Sequence, residues 1–372
     1  MKKLNVILLL IDGARVDRIQ NVPIFEKLKN NGIFISQMIT HAPYTLVSMN
    51  SIFTGMYGGK NGINAYFQMF KHPKDNCKTL AEYLQQNNWH TYGDAMRLSL
   101  VSNRGFDTLT SQENDDDPDF IQIHEKIIDQ AVNSSDKQPF FLYLHYPKIH
   151  HSIKETVFDK YDDFSTEYFD NKETNLRNYD SYLNEAGIYL DSIYEKLKTK
   201  DLLKNSLIIV MADHGMGVGE KTGERAYGIF TYDYSIRTFA YLLNPELFPN
   251  SKEISEQTET IDIMPTILEC LEIPIDNSCL TMQGRELVSS INQEDNQVNS
   301  DEFSHVAFSE TGGLQGPWPS PKTPNVKCVR TQNWKLIHNT TPDTWELYDL
   351  KNDPQEESNV ITDNLDITRS YI

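Results

Sequence analysis

Three short segments carry side chains able to gather round one cation. Met211 to Glu220 reads MADHGMGVGE, and Asp213 and His214 stand side by side where an apolar run gives way to glycine. A carboxylate oxygen and an imidazole nitrogen presented at one turn are a ligand pair for a divalent metal. By itself the same DHG tripeptide also fits an Asp-capped turn with a solvent-facing histidine. LLLIDGARVD adds a further carboxylate, Asp12, at the end of the first apolar run. Alone, it reads equally as a helix cap or turn residue. The third segment, HAPYTLVSMNSIFTGMYGGKNGI, covers His41 to Ile63. A proline-marked loop there leads into a helical pattern starting near Leu46, so Thr45 stands at or just before a helix N-terminus. Backbone N–H groups and the positive dipole end favour an anion at such a place and lower the pKa of a neighbouring nucleophile. A plain N-cap is the competing role for Thr45.

Such residues do chemistry only if the chain delivers them to one place. Leu4 to Ile11, Pro139 to His145 (PFFLYLH) and Leu207 to Met211 (LIIVM) are apolar runs of strand length. Ile24 to Leu28 and Thr79 to Leu84 carry helical spacing. The alternation predicts an α/β fold, with a mostly parallel central sheet sandwiched by helices. In that architecture active groups stand on loops beyond the carboxyl ends of the strands. Asp12, the stretch His145 to His150, and Asp213-His214 each follow such a strand, so three segments can converge on one crevice. A further helical pattern, TIDIMPTILECLEI, begins at Thr260, and a polar stretch from Ser289 to Asp301 reads as a linker. Beyond it HVAFSE, KCVRT, WKLIH and WELYDL predict a small C-terminal antiparallel subdomain. The expected division is a catalytic domain over 1–288 and a subdomain over 302–372. Glu113 to Asp119 and the Tyr-rich region Tyr161 to Tyr182 read as solvated excursions.

Composition narrows the partners. The formal net charge of -19 excludes a nucleic-acid partner, which would want a basic surface. An anionic substrate would then need strong local positive charge, and a bound metal is the obvious source. Cys77, Cys270, Cys279 and Cys328 show no metal-finger spacing, so free thiols and a cytoplasmic location are expected. The opening MKKLNVILLLID imitates a signal peptide, but it ends in Asp12 without a small-residue cleavage site and reads as a buried strand. No later run reaches the length of a membrane span.

Taken together, the segments resemble the alkaline phosphatase and sulfatase superfamily. A strand ending in Asp12, a nucleophile loop from Thr45 to Gly55, and His145 and His150 in HxxxxH come first. Asp213 to Gly215, the DxxPT helix Asp262 to Thr266 and the ELYDLxxDPxE stretch Glu346 to Glu356 complete the order. Sulfatases of the main type oxidise Cys or Ser, at the head of C/S-x-P-S-R, to formylglycine. Counting ten residues inclusive back from Thr54 lands on Thr45, giving T-L-V-S-M. Threonine cannot become formylglycine, and Val47 and Met49 replace the Pro and the Arg. The expected Asp-Asp pair is reduced to Asp12-Gly13, and Met96 stands where the family has lysine.

A threonine at that position is similar to phosphodiesterases, phosphonate monoester hydrolases and phospho-group transferases of the superfamily. That resemblance implies in-line attack by Thr45 on phosphorus and a covalent phospho-threonine intermediate. It implies one divalent metal ion on Asp12, Thr45, Asp213 and His214. Mn²⁺ or Zn²⁺ suits that set best, with Mg²⁺ or Ca²⁺ as alternatives. The only DxxxH, Asp301 to His305, falls after the DHG turn, out of order for a second zinc site. His150 is expected to hydrogen-bond the ester or protonate its leaving oxygen near neutral pH, and His145 to be a buried structural partner. Lys221 and Arg225 in GEKTGERAYG either hold the anion or are surface charges. Asn50 and Arg97 are substitutes for the missing cations. The expected activity is hydrolysis of a phosphodiester or phosphonate monoester. The alternatives are a phospho-group transferase on a glycan or lipid head group, and a sulfatase-like protein that cleaves sulfate by another route or only binds an anionic sugar. The expected partner is an anionic small-molecule, glycan or lipid head-group ester; oligomeric state is not legible.

Overall fold

The computed structural model describes residues 1–115, 117–134, 138–292, 305–312, 321–341 and 343–371. The first strands are β1 (Asn5–Ile11), β2 (Ile33–Ile39), β3 (His90–Ala95), β4 (Thr108–Ser111) and β5 (Phe140–Tyr146). They are followed by β6 (Ser206–Met211), β7 (Arg237–Leu243), β8 (Lys252–Ile254) and β9 (Thr258–Glu259). Together they build one sheet in the order β4-β3-β5-β1-β6-β7-β2-β8, with β9 beside β2. From β4 to β6 every neighbour is parallel; β7 is antiparallel to both β6 and β2. The expected mostly parallel sheet is therefore present, with one reversed strand in it.

Its central strands are apolar along their whole length because both faces are covered. Side chains alternate across the pleat. Val6, Leu8 and Leu10 join the core beneath the helix Thr45–Thr54, with Leu46, Ile52 and Phe53. Ile7, Leu9 and Ile11 face the other core, with Tyr179, Leu183 and Leu190 of the long helix Lys172–Thr199. The helix expected from Thr79 runs Leu80–Gln86, and Thr79 and Glu82 cap it reciprocally.

The region Tyr161 to Tyr182 differs from expectation. Tyr168 and Tyr179 are buried, and the Tyr179 hydroxyl donates to the Gly13 carbonyl (2.9 Å) and accepts from the Arg15 amide (2.7 Å). Tyr179 thus crosses the core to fix the turn after β1, while the Tyr168 hydroxyl donates to the Arg225 carbonyl at 2.6 Å, roles that charge-rich flanking sequence conceals. The polar stretch after Asn292, including Asp301, lies outside the described residues, as does Asp116.

A separate antiparallel sheet follows: β10 (Ala307–Thr311), β11 (Val326–Arg330), β12 (Trp334–Asn339) and β13 (Thr344–Asp349), in that order. It is tied to the segment before β7 by buried charges. Arg330 donates to both carboxylate oxygens of Asp233 (3.0 and 2.8 Å), and Lys335, fully buried, pairs with Asp233 and with Glu356 (2.7 Å). Removing one partner of such a network strands the others away from water. Lys335→Ala is expected to destabilise the protein by about 3–5 kcal/mol, read as a lowered urea midpoint. An unchanged midpoint would show the network to be structurally dispensable.

Candidate active site

β5, β1 and β6 are neighbours, and Leu10 lies in register with His145 on one side and Met211 on the other. Their carboxyl ends therefore deliver Asp12, His145 and the Asp213-His214 pair side by side. Gly13 makes the turn after Asp12 at φ +73°, a left-handed conformation that calls for glycine. Thr45 is the first residue of the helix Thr45–Thr54; Tyr44, in extended conformation, is its N-cap. The plain capping role considered for Thr45 thus does not apply. Ser48 on the same helix donates to the Asp213 carbonyl at 2.8 Å, locking the helix to the DHG turn.

The Thr45 hydroxyl lies 3.3 Å from Asp12 Oδ2, to which it donates, and 3.4 Å from His214 Nε2. His214 Nε2 is 3.5 Å from Asp12 Oδ1 and 3.5 Å from Asp213 Oδ2. One ligand atom from each of Asp12, Asp213 and His214 falls within 4.8 Å of the others, and all three residues are buried. His214 Nδ1 lies 2.8 Å from the Gly215 carbonyl, which can only accept, so the proton belongs on Nδ1 and the Nε2 lone pair faces the carboxylates.

Electrostatically the two carboxyls are pushed apart. Burial and the charge of Asp12 hold Asp213 above the usual carboxylate range. Burial acts on Asp12 in the same sense, but the His145 hydrogen bond and neighbouring His214 outweigh it and hold Asp12 well below that range. Among the described residues, Asp12 Oδ1 and both Asp213 oxygens are buried without a hydrogen-bond partner. Unpaired carboxylate oxygens out of water are costly, and a cation between them satisfies all three. Two carboxylates and an imidazole lone pair therefore fit a divalent metal as a donor set.

His145 is, as expected, structural: the Tyr143 hydroxyl donates to its Nδ1 (2.8 Å) and its Nε2–H donates to Asp12 Oδ2 (3.0 Å). His150 is also at the site, with Nε2 engaged by the Tyr227 hydroxyl and Nδ1 buried without a partner. Burial pushes its pKa down to about 4, against the pull of Asp12. It is neutral at pH 7, which corrects the expectation of a proton donor titrating near neutrality; a neutral imidazole still offers one N–H.

Three further candidates are engaged elsewhere. The Asn50 amide donates to the Leu46 (2.7 Å) and Leu100 (3.1 Å) carbonyls, which uses both its hydrogens and removes it as an anion donor. Lys221 turns to the C-terminal sheet, donating to the Glu356 carbonyl over the rings of Tyr232 and Tyr348. Arg225 pairs with Asp163 at 2.7 Å and donates to the Phe158 and Tyr161 carbonyls. Two tyrosines unmarked in the sequence stand at the cluster instead. The Tyr227 ring packs 5.1 Å from that of His214, and Tyr66 stacks 4.7 Å from Tyr44, the residue before Thr45. Tyr227 lies within GERAYG, but tyrosine there reads as ordinary core.

The sulfatase family matches residues 5–273, and the C-terminal region of N-sulphoglucosamine sulphohydrolase matches residues 227–368. A sulfatase of Formosa agariphila is 22% identical over 242 residues, which cover 61% of this chain and 42% of that one. The chain thus spans less than half of that relative's length. A solved structure in complex with its substrate D-glucosamine-2-N,6-O-disulfate superposes with a TM-score of 0.75 at 17% identity, covering 100% of this chain and 96% of that one. The phosphonate monoester hydrolase of Agrobacterium radiobacter superposes at 0.73 with 14% identity, covering 98% and 93%. At those identities the likeness is one of fold. Among the described residues no helix is long and apolar enough to cross a membrane. The family match over most of the chain, on a sheet that carries Asp12, Asp213 and His214 at adjacent strand ends, decides the assignment: the chain belongs to the sulfatase family, within the alkaline phosphatase and sulfatase superfamily.

Proposed function

We propose that this chain is a metal-dependent hydrolase that cleaves a phosphodiester or phosphonate monoester through a covalent intermediate on Thr45. The observation that carries the reading is the Thr45 hydroxyl, 3.3 Å from Asp12 and 3.4 Å from His214 at a helix N-terminus. A divalent ion held by Asp12, Asp213, His214 and Thr45 would neutralise charge on the ester oxygens and favour ionisation of the hydroxyl.

The chain's own groups supply the rest. The Thr45 proton leaves toward Asp12 Oδ2, its hydrogen-bond acceptor. Thr45 Oγ1 then bonds to phosphorus as the bond to the leaving oxygen breaks, and that oxygen takes up a proton from water. Water attacks phosphorus in the second step and restores the Thr45 hydroxyl. The first N–H groups of the helix have no partner inside it and face the nonbridging oxygens.

A second reading, hydrolysis of sulfate esters, is favoured by the printed names of the relatives. It lacks the Cys or Ser from which formylglycine is made. A panel of aryl phosphodiester, phosphomonoester, phosphonate and sulfate esters, assayed with Mn²⁺ or Zn²⁺ and with chelator, separates the two. The phosphodiester or phosphonate is expected to turn over fastest and to stop with chelator. Faster cleavage of the sulfate ester would overturn the substrate assignment, and chelator-resistant cleavage would overturn the metal.

A further inference from the structure

Asp12 and the Asp213-His214 pair stand on two turns that the sheet itself does not hold together. The last register pair between β1 and β6 is Leu10 with Met211. Beyond it the main chains turn apart. The Asp12 amide donates to the Tyr146 carbonyl of β5 (3.1 Å), while the Ala212 amide donates to the Phe239 carbonyl of β7 (3.4 Å) and the Gly215 amide to the Ser235 carbonyl (2.8 Å). Two buried carboxylates facing each other across such a gap repel, and the repulsion acts to widen it.

Arg15 bridges the gap. Its amide is held by the Tyr179 hydroxyl (2.7 Å), which also donates to the Gly13 carbonyl (2.9 Å), so the backbone at its base is fixed. The guanidinium is buried. Nε and Nη2 take both oxygens of Asp17 (3.0 and 2.9 Å), which sets the plane of the fork. Nη1 reaches into the loop after His214, donating to the Met216 carbonyl (3.0 Å) and to Glu220 (2.5 Å). The other Glu220 oxygen accepts from the Val218 amide (2.5 Å). A buried ion pair thereby ties the turn after Asp12 to the loop after His214. A planar fork bound on two sides has one geometry, where a flexible ammonium would have several.

A set of metal ligands discriminates between cations of equal charge by the width and the rigidity of its cavity. We propose that Arg15 and Glu220 are positioning residues that hold the gap between the two ligand turns at one width and so set the size of divalent cation it accepts. The inference rests on the ligand set Asp12, Asp213, His214 and Thr45 given above and adds the control of its selectivity.

The test measures Mn²⁺ binding by loss of the free-ion EPR signal, and binding of the larger Ca²⁺ by displacement of Mn²⁺, on the wild-type chain and on Arg15→Gln. The quantity read is the ratio of the Ca²⁺ dissociation constant to that of Mn²⁺. The donor atoms are the same in both proteins, so a change in the ratio reports the cavity. Both ions are divalent, so loss of the Arg15 charge acts on them alike, and loss of folded protein changes the number of sites but not the ratio. The ratio is expected to fall about tenfold in Arg15→Gln, as the loosened gap widens toward the larger ion, and to recover in part in Arg15→Lys. Glu220→Gln keeps an acceptor for Val218 and removes the ion pair. It is expected to shift the ratio in the same direction, which keeps the test decisive if Arg15→Gln does not fold. An unchanged ratio in the variants, even with both affinities lowered together, overturns the clamp and leaves the ligand set standing. Absence of Mn²⁺ binding by the wild-type chain overturns both.

Discussion

Thr45→Ala is expected to lower turnover of an aryl phosphodiester by about 10⁴-fold or more, the scale on which loss of a nucleophile acts. The fold should survive. Thr45 is not the N-cap, and alanine is a good helix former at the first helical position. The hydrogen bonds lost, to Asp12 and His214, are long at 3.3 and 3.4 Å, and their net worth is about 1 kcal/mol. Thr45→Ser keeps the hydroxyl at the same place and is expected to retain activity. Full turnover by Thr45→Ala with an unchanged melting temperature would remove Thr45 from the reaction.

The second large effect is on stability and needs no substrate. Asp213 and Asp12 face each other out of water, and three of their four oxygens lack a hydrogen-bond partner among the described residues. Mn²⁺ or Zn²⁺ at a hundredfold excess over its Kd is therefore expected to stabilise the wild-type protein by about 2.7 kcal/mol, seen as a raised Tm. In the metal-free protein, Asp213→Asn should be more stable than wild type. It removes a buried charge whose pKa is raised by burial and by Asp12, and leaves an amide of the same shape. The gain lies within the about 1–3 kcal/mol cost of an unsatisfied buried group. The same variant should lose most of the metal-dependent rise. A metal-dependent rise that persists undiminished in Asp213→Asn would contradict the assigned ligand set.

The residues that meet in this site were legible to different degrees, for physical reasons. Asp12, Asp213 and His214 each follow an apolar run, and a run buried on both faces is an inner strand of a sheet covered by helices on both sides. Placing them at one edge then follows from topology, and the register of β1 with β5 and β6 agrees. Thr45 was legible by position ahead of a helical pattern.

Side-chain direction was not legible. Asn50 stands one turn past Thr45 and looked available, yet its amide turns back to Leu46 and across to Leu100. Lys221 and Arg225 had the right charge and the right segment, but the C-terminal sheet and Asp163 claim them. Tyr66 and Tyr227 reach the cluster from loops whose paths depend on contacts distant in sequence. Tyr227 is an example: its neighbour Gly228 is held through its carbonyl by Thr311 of β10. The reversed strand β7 was equally hidden, because RTFAYLL reads the same in either direction and only pairing with β6 and β2 gives its sense.

The most direct test of Thr45 as the nucleophile is to quench the reaction during the first turnover and map the covalent adduct by peptide mass spectrometry. With an aryl phosphodiester or phosphonate and Mn²⁺ or Zn²⁺, a phosphorus-containing adduct is expected on Thr45, within the peptide spanning His41 to Lys60, and absent from Thr45→Ala. An adduct on another residue, or rapid turnover with no adduct at any quench time, would contradict the account.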